Sequence, residues 1–331
     1  MDHLNFSFSS TCRLHDTNST WGAKQVGPSV VLGLCCLVGL PSNIAVIVSI
    51  AHQWNEKISF TVKLMLNLAV SDALTLALAP FAMYGLLCGW TLGIWPCRML
   101  MYLIYCAMYA SVLTITLMAV HHYHTVKSKT PNQKQLERLQ KGRRRLLLIG
   151  LWGLAIIFAL PNFFTRGVAI KGGFSRCQKT IDSVSGKAII LLLEVIFGFI
   201  LPFSIILTSY CWINKTKLRG GENARKRKKR MRRLVISMVT AFFLFWTPVH
   251  IINVIDVATT LTKASFPAVY EGLKFFRRAT GDLSKTLAVI NCCVNPFLYA
   301  VALGIIKKKH DNQENKTEVK SSLHSQGEGL E

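Results

Sequence analysis

The chain has 331 residues, 51% of them hydrophobic, a mean hydropathy of +0.36 and a formal net charge of +23. That apolarity is the composition of a membrane protein rather than of one or two soluble domains. So large a positive charge would suit nucleic acid, but its largest block adjoins the end of an apolar run. Anionic membrane lipid is the expected partner there, and nucleic acid is not.

Residues 1–27 form a polar N-terminal tail with sequons at Asn5 and Asn18. The tail has no basic region followed by an apolar core, so the first span is expected to act as the insertion signal. Pro28 to Ala51, Met99 to Val120, Leu146 to Thr165 and Leu234 to Ile255 contain no Asp, Glu, Lys or Arg. Each is at least as long as the roughly twenty residues a spanning helix needs. Three further runs carry one or two ionisable groups: Ile58 to Leu87 with Lys63 and Asp72, Ala188 to Ile213 with Glu194, and Leu283 to Ile306 with Lys285. The expected fold is therefore an all-α membrane protein, a bundle of seven transmembrane helices across residues 28–306 with an extracellular N-terminus and a short cytoplasmic helix after span seven, and with residues 307–331 as a cytoplasmic C-terminal tail. With the N-terminus outside, 26 of the 39 Lys and Arg fall on the cytoplasmic side, 11 of them between Lys215 and Arg233. This satisfies the positive-inside rule. Asn5 and Asn18 then face the side where glycosylation occurs, whereas the sequons at Asn214 and Asn315 do not.

The ten cysteines form no metal framework, because most sit singly or as adjacent pairs inside spans. Cys97, Cys177, Cys12 and Cys88 are placed outside, where disulfides are stable. Asn43, Asp72, Ser111, Asn291 and Asn295 lie mid-span, where a polar group needs a partner or a role. They form either a hydrogen-bonded cluster that ties helices together or a small-cation site, since one carboxylate ringed by amide and hydroxyl oxygens is a set of hard ligands. Prolines 41, 80, 161, 202, 248 and 296 interrupt the spans and permit kinks. The third span ends in His121-His122-Tyr123-His124. Adjacent helical residues point about 100° apart, so these rings do not converge on one metal ion. What is left is a polar helix end among lipid headgroups or a modified switch.

In order along the chain stand Gly39-Leu-Pro-Ser-Asn43, Leu66-Asn-Leu-Ala-Val-Ser-Asp72, Cys97, Trp152, Pro202 with Tyr210, Phe242 with Phe245-Trp246-Thr-Pro248, and Asn295-Pro296-Phe-Leu-Tyr299. Through these motifs the chain resembles rhodopsin-like G-protein-coupled receptors from end to end. The resemblance implies several roles. A Cys97–Cys177 disulfide ties the outer loop to span three, and no cofactor is needed beyond an allosteric sodium ion held at Asp72 with Ser111, Asn291 and Asn295. Trp246 couples ligand to an outward swing of span six. A heterotrimeric G protein and arrestin bind inside, arrestin after phosphorylation at Thr317, Ser321, Ser322 or Ser325, and the receptor resides in the plasma membrane. The chief departure is at His121-His122-Tyr123, where the family carries Asp-Arg-Tyr. The base of span six, Ala224 to Arg233, offers no acid. A neutral imidazole can bond Tyr210 or Tyr299, but it lacks the permanent charge and five-donor fork of arginine.

Ile104 and Val289 stand where amine receptors carry aspartate and opsins the retinal lysine, so neither ligand is expected. The outer half instead carries Arg166, Lys171, Arg176, Lys179, Arg277, Arg278 and Lys285. Arg166 and Lys285 lie near the apolar boundary, where a cation needs a partner, and an anionic ligand supplies one. Tyr102, Glu194, His250 and Asn253 could bond hydroxyls on it. Met108-Tyr-Ala-Ser-Val-Leu113, the run from Glu194 to Pro202, and Phe245-Trp-x-Pro-x-His250-x-x-Asn253 resemble leukotriene B4 receptors, although Met101 stands where a histidine is expected. That resemblance implies a hydroxylated fatty-acid mediator. Chemoattractant peptide receptors, which also favour cationic pockets, and a scavenging receptor that binds without signalling are the alternatives. No nucleophile and base pair or cofactor loop points to an enzyme. A transporter would show inverted repeats, and none is visible.

Overall fold

The structure, a computed structural model, describes residues 20–53, 58–127, 134–171, 174–181, 183–215, 222–262 and 265–327. Asn5, Asn18 and Cys12 lie outside them. Asn214, Asn315, Thr317, Ser321, Ser322 and Ser325 fall where only the backbone is described.

The chain forms α1 (Thr20–His52), α2 (Phe60–Leu87), α3 (Ile94–Lys127) and α4 (Lys134–Phe164), then a hairpin of β1 (Arg166–Lys171) and β2 (Phe174–Lys179). The fifth span is built from α5 (Val184–Val195), a π-turn (Ile196–Ile200) and α6 (Leu201–Lys215). Spans six and seven are α7 (Glu222–Thr262) and α8 (Pro267–Gly327). Six of these spans are long and apolar enough to cross a bilayer by length and composition among the described residues. The seventh, α8, packs against α7, α1 and α2 and completes the bundle. The short separate helix expected after span seven is not formed, because the helix runs unbroken to Gly327. No proline or turn dipeptide follows Pro296 to stop it.

Local chemistry sets the ends. Ser59 caps α2 by accepting from the Val62 N–H at 3.4 Å, and Ser183 caps α5 by accepting from Gly186 at 3.2 Å. The turn between α2 and α3 needs glycine at 89 and 93, where φ is +78° and +85°. Within it Trp90 is buried and donates its indole N–H to the Gly93 carbonyl at 2.7 Å. The π-turn ends two residues before Pro202, which has no N–H to offer the preceding turn, so the helix widens where its ladder is already broken.

The inner faces of the spans meet in one apolar cluster that includes Leu64, Leu68, Ile115, Met118, Met238, Phe242 and Tyr299. Large apolar side chains such as Leu37, Ile149, Leu244 and Phe275 are exposed on the outside, the face that a bilayer covers. Gly39 lets α1, α2 and α8 approach closely: a Cβ there would stand 2.5 Å from Cys293 Sγ and 2.8 Å from Leu76 Cδ1.

Candidate functional site

The outer cluster is built around the β1–β2 hairpin, which reaches α5 through Lys179 and Glu194. A disulfide between Cys97 and Cys177 fixes β2 to the start of α3, as the motif resemblance implied. Cys88 is also disulfide-bonded, while Cys12, the other cysteine placed outside with it, lies outside the described residues. Antiparallel register sets Arg166 directly opposite Lys179. Two like charges face to face on a hairpin destabilise it unless each finds a counter-group. Lys179 finds Glu194 on α5, donating to both carboxylate oxygens at 2.7 Å. Among the described residues Arg166 finds neutral acceptors, the Tyr105 hydroxyl and Asn162 Oδ1, both at 3.3 Å, with its guanidinium over the Tyr105 ring at 5.5 Å. Its buried Nε has no partner among the described residues. Burial pushes the Lys179 ammonium below the ordinary lysine value; the Glu194 carboxylate opposes that shift, and the charges of Arg166 and Lys285 add to it.

Beneath the cations lie the other sequence-predicted groups. Asn253 points its amide nitrogen at Glu194 Oε2 from 3.5 Å. His250 is buried, stacked between Phe199 at 4.9 Å and Trp246 at 5.8 Å, and neither ring nitrogen has a partner among the described residues. Gly198 in the π-turn admits this ring, since a Cβ there would meet His250 Cε1 at 3.2 Å. Two expected residues are placed differently. Tyr102 packs edge-on against Phe163 at 6.1 Å, and Tyr105, one turn deeper, takes the contact with Arg166. Lys285 is 67% exposed and paired with Asp282 at 3.4 Å, so it reaches the cluster through its charge on Lys179 rather than through a hydrogen bond to it.

Mid-bundle, Asp72 is fully buried and both of its oxygens accept hydrogen bonds, from Ser111 at 2.9 Å and Asn295 at 2.8 Å. Asn43 donates to the Cys292 and Gly39 carbonyls at 2.9 Å. The amide oxygens of Asn43, Asn291 and Asn295 are buried with no partner among the described residues. Orphan hard oxygens close to a carboxylate fit a small cation such as sodium. Alongside, Asn67 bridges Thr114 at 2.7 Å and the Trp152 indole at 2.8 Å, tying α2 to α3 and α4.

At the cytoplasmic end the histidines diverge. His121 meets Phe60 edge-on at 4.9 Å, and His124 meets Tyr123 at 5.2 Å. His122 turns inward to a cavity it shares with Tyr210. No hydrogen bond joins His122 Nε2 to Tyr210 or Tyr299: that nitrogen and the Tyr299 hydroxyl are both buried without partners among the described residues. Phe242 and Trp246 lie one turn apart along α7 with tilted rings and centroids 5.6 Å apart, next to Pro248 inside the same helix.

Sequence reasoning missed the Lys179–Glu194 pair, the Arg277–Asp256 pair between α7 and α8, and Tyr105. A signal for Lys179 was present. Residues two apart on a strand share a face, so a cation two places after Cys177 points to the same side as the disulfide.

The family model described as "7 transmembrane receptor (rhodopsin family)" matches residues 42–299. The chain is 33% identical to human leukotriene B4 receptor 1 over 83% of its own length and 76% of that protein. It is 35% identical to the rat form over 84% and 76%, and 30% identical to rat leukotriene B4 receptor 2 over 88% and 79%. The chain therefore belongs to the rhodopsin family of seven-transmembrane receptors and to its leukotriene B4 receptor group, as a multi-pass plasma-membrane protein that answers an extracellular ligand through a heterotrimeric G protein.

Proposed function

We propose that the ligand is an anionic lipid mediator, a hydroxylated fatty acid of the leukotriene B4 type. The observation that carries this reading is the cross-strand pair Arg166 and Lys179 with one carboxylate, Glu194, set against it among the described residues. A ligand carboxylate would supply the missing charge at Arg166, whose Nε is buried without a partner among the described residues. The two unpartnered nitrogens of His250, deeper in the same pocket, suit a ligand hydroxyl, and the rings of Phe199 and Trp246 suit an apolar chain. Occupancy next to Trp246 and Pro248 would shift the equilibrium between packed states of α7. Phosphorylation of Thr317, Ser321, Ser322 or Ser325 would then recruit arrestin.

Radiolabelled leukotriene B4 tests the proposal on cells lacking related receptors. Arg166→Ala should weaken binding by about 1.5 to 3 kcal/mol, roughly ten- to a hundredfold, the worth of a charge-assisted hydrogen bond. Unchanged affinity at normal surface expression removes Arg166 from the pocket. Absence of lipid binding by the wild type, with binding of a chemoattractant peptide, replaces the ligand class. A second reading, binding with only weak coupling so that the receptor acts mainly as a scavenger, is favoured by one observation: His122 supplies no permanent cation, and its buried Nε2 engages nothing among the described residues.

A further inference from the structure

Between the cytoplasmic ends of α3, α6 and α7 lies a cavity of about 140 Å³, remote from the hairpin pocket and lined by none of the mid-bundle Asp72 cluster. Most of its wall is apolar, from Ile206, Ile213, Val235 and Val239 among others. Four polar side chains also line it: His122, Tyr210, Arg232 and Thr240. His122 is 6% exposed, and its Nε2 has no hydrogen-bond partner among the described residues. A buried imidazole nitrogen left alone is costly, so a group that bonds it gains what the empty arrangement forfeits. Thr240 lines the cavity from α7 and is exposed, so the cavity is not sealed on the α7 side.

We propose that this cavity binds an anionic amphiphile of the inner leaflet, its head on Arg232, His122 and Tyr210 and its first methylenes against Ile206, Ile213 and Val239. The size suits a head group rather than a whole lipid, since about 150 Å³ holds one benzene ring. The rest of the chain then runs outward along the seam between α6 and α7. The charge suits it too: 11 Lys and Arg between Lys215 and Arg233 concentrate anionic lipid at this end. A guanidinium beside an imidazole and a phenol offers an anion several donors from one side. A carboxylate from a free fatty acid and a phosphate from a phospholipid share this chemistry. The occupant touches three spans at once, so binding it biases how α7 sits against α3.

The test uses the purified full-length receptor in phosphatidylcholine nanodiscs with two photoactivatable probes, a diazirine fatty acid and a diazirine phosphatidic acid, with crosslinks mapped by mass spectrometry. Labelling of α6 and α7 around the cavity by at least one probe is expected, and which probe labels identifies the source of the anion. Arg232→Gln should lower that labelling about tenfold, as loss of a charge-assisted bond implies. Val239→Trp should block it by filling the space, and it keeps the proposal testable if the charge variant folds poorly. Arg233→Gln removes the same charge from an exposed neighbour outside the cavity and should leave labelling intact. Equal loss in Arg232→Gln and Arg233→Gln, or full labelling in Val239→Trp, overturns the proposal in favour of general attraction to the basic surface.

Discussion

Lys179→Met is the sharpest single perturbation of the outer cluster. Lys179 contacts both oxygens of Glu194 at 2.7 Å, and the two side chains are only 15% and 6% exposed. At that separation two unit charges attract by about 6 kcal/mol at an effective dielectric of about 20, before desolvation is subtracted. Desolvation offsets most of that gain, so deleting both charges together costs little, whereas deleting one strands its partner at a cost of about 3 to 5 kcal/mol. Lys179→Met leaves an unpaired carboxylate in the bundle. Glu194→Gln leaves an ammonium facing Arg166. Each single variant should therefore lower the unfolding midpoint of the ligand-free receptor in detergent by roughly 6 to 10 °C, at about 2 °C per kcal/mol. The double variant should recover most of the loss. Buried free thiols at Cys35, Cys106, Cys292 and Cys293 make a thiol-reactive dye a suitable reporter. If the single effects simply add, with coupling under about 0.5 kcal/mol, the two residues do not act as a buried pair and the charge argument for the pocket fails.

If sodium occupies the cluster at Asp72, agonist affinity should fall as sodium replaces a bulky organic cation at constant ionic strength, because an ion that prefers the inactive state opposes agonist by linkage; a response that survives in Asp72→Asn excludes that site. Restoring Asp-Arg at positions 121 and 122 should raise ligand-dependent G-protein activation with little change in ligand affinity, and a wild type that already couples fully, with no gain in the double substitution, would mean that His122 is a tolerated replacement. Gly39→Ala drives a methyl into Cys293 and Leu76 and should cost about 1 to 3 kcal/mol as overpacking, read as a lower midpoint in the same thermal assay.

The spans were legible because hydrocarbon demands long unbroken apolar runs, and the buried polar residues inside them were legible because they are rare there. Asp72, Ser111 and Asn295 were identified on that ground and do meet. The outer pocket was less legible, because its partners come from segments far apart in sequence. Glu194 was identified from its depth in span five, but its counter-ion depends on hairpin register, which a loop sequence rich in Gly and Lys does not specify. Tyr102 and Tyr105 are three residues apart on one helix face, so periodicity alone could not say which of them reaches Arg166. Span seven could be placed but not its end, since nothing in the sequence after Pro296 marks where the helix stops.

The π-turn at Ile196–Ile200 also decides how the two ends of span five are indexed. On an unbroken helix Glu194 and Tyr210, sixteen positions apart, would stand about 160° out of phase at about 100° per residue. One could then face the bundle only if the other faced lipid. A π-turn absorbs one residue without advancing the rotation, which leaves the two about 60° apart. Glu194 is accordingly buried against Lys179 at the outer end, and Tyr210 lines the inner cavity from the same side of the span. A helical wheel drawn straight through residues 184–215 therefore assigns the wrong face to one half of the span. Deleting a single residue within 196–200 would remove the widened turn and leave both sites facing the bundle, about 60° apart on an unbroken helix, whereas straightening the turn at full length would rotate one of them toward lipid.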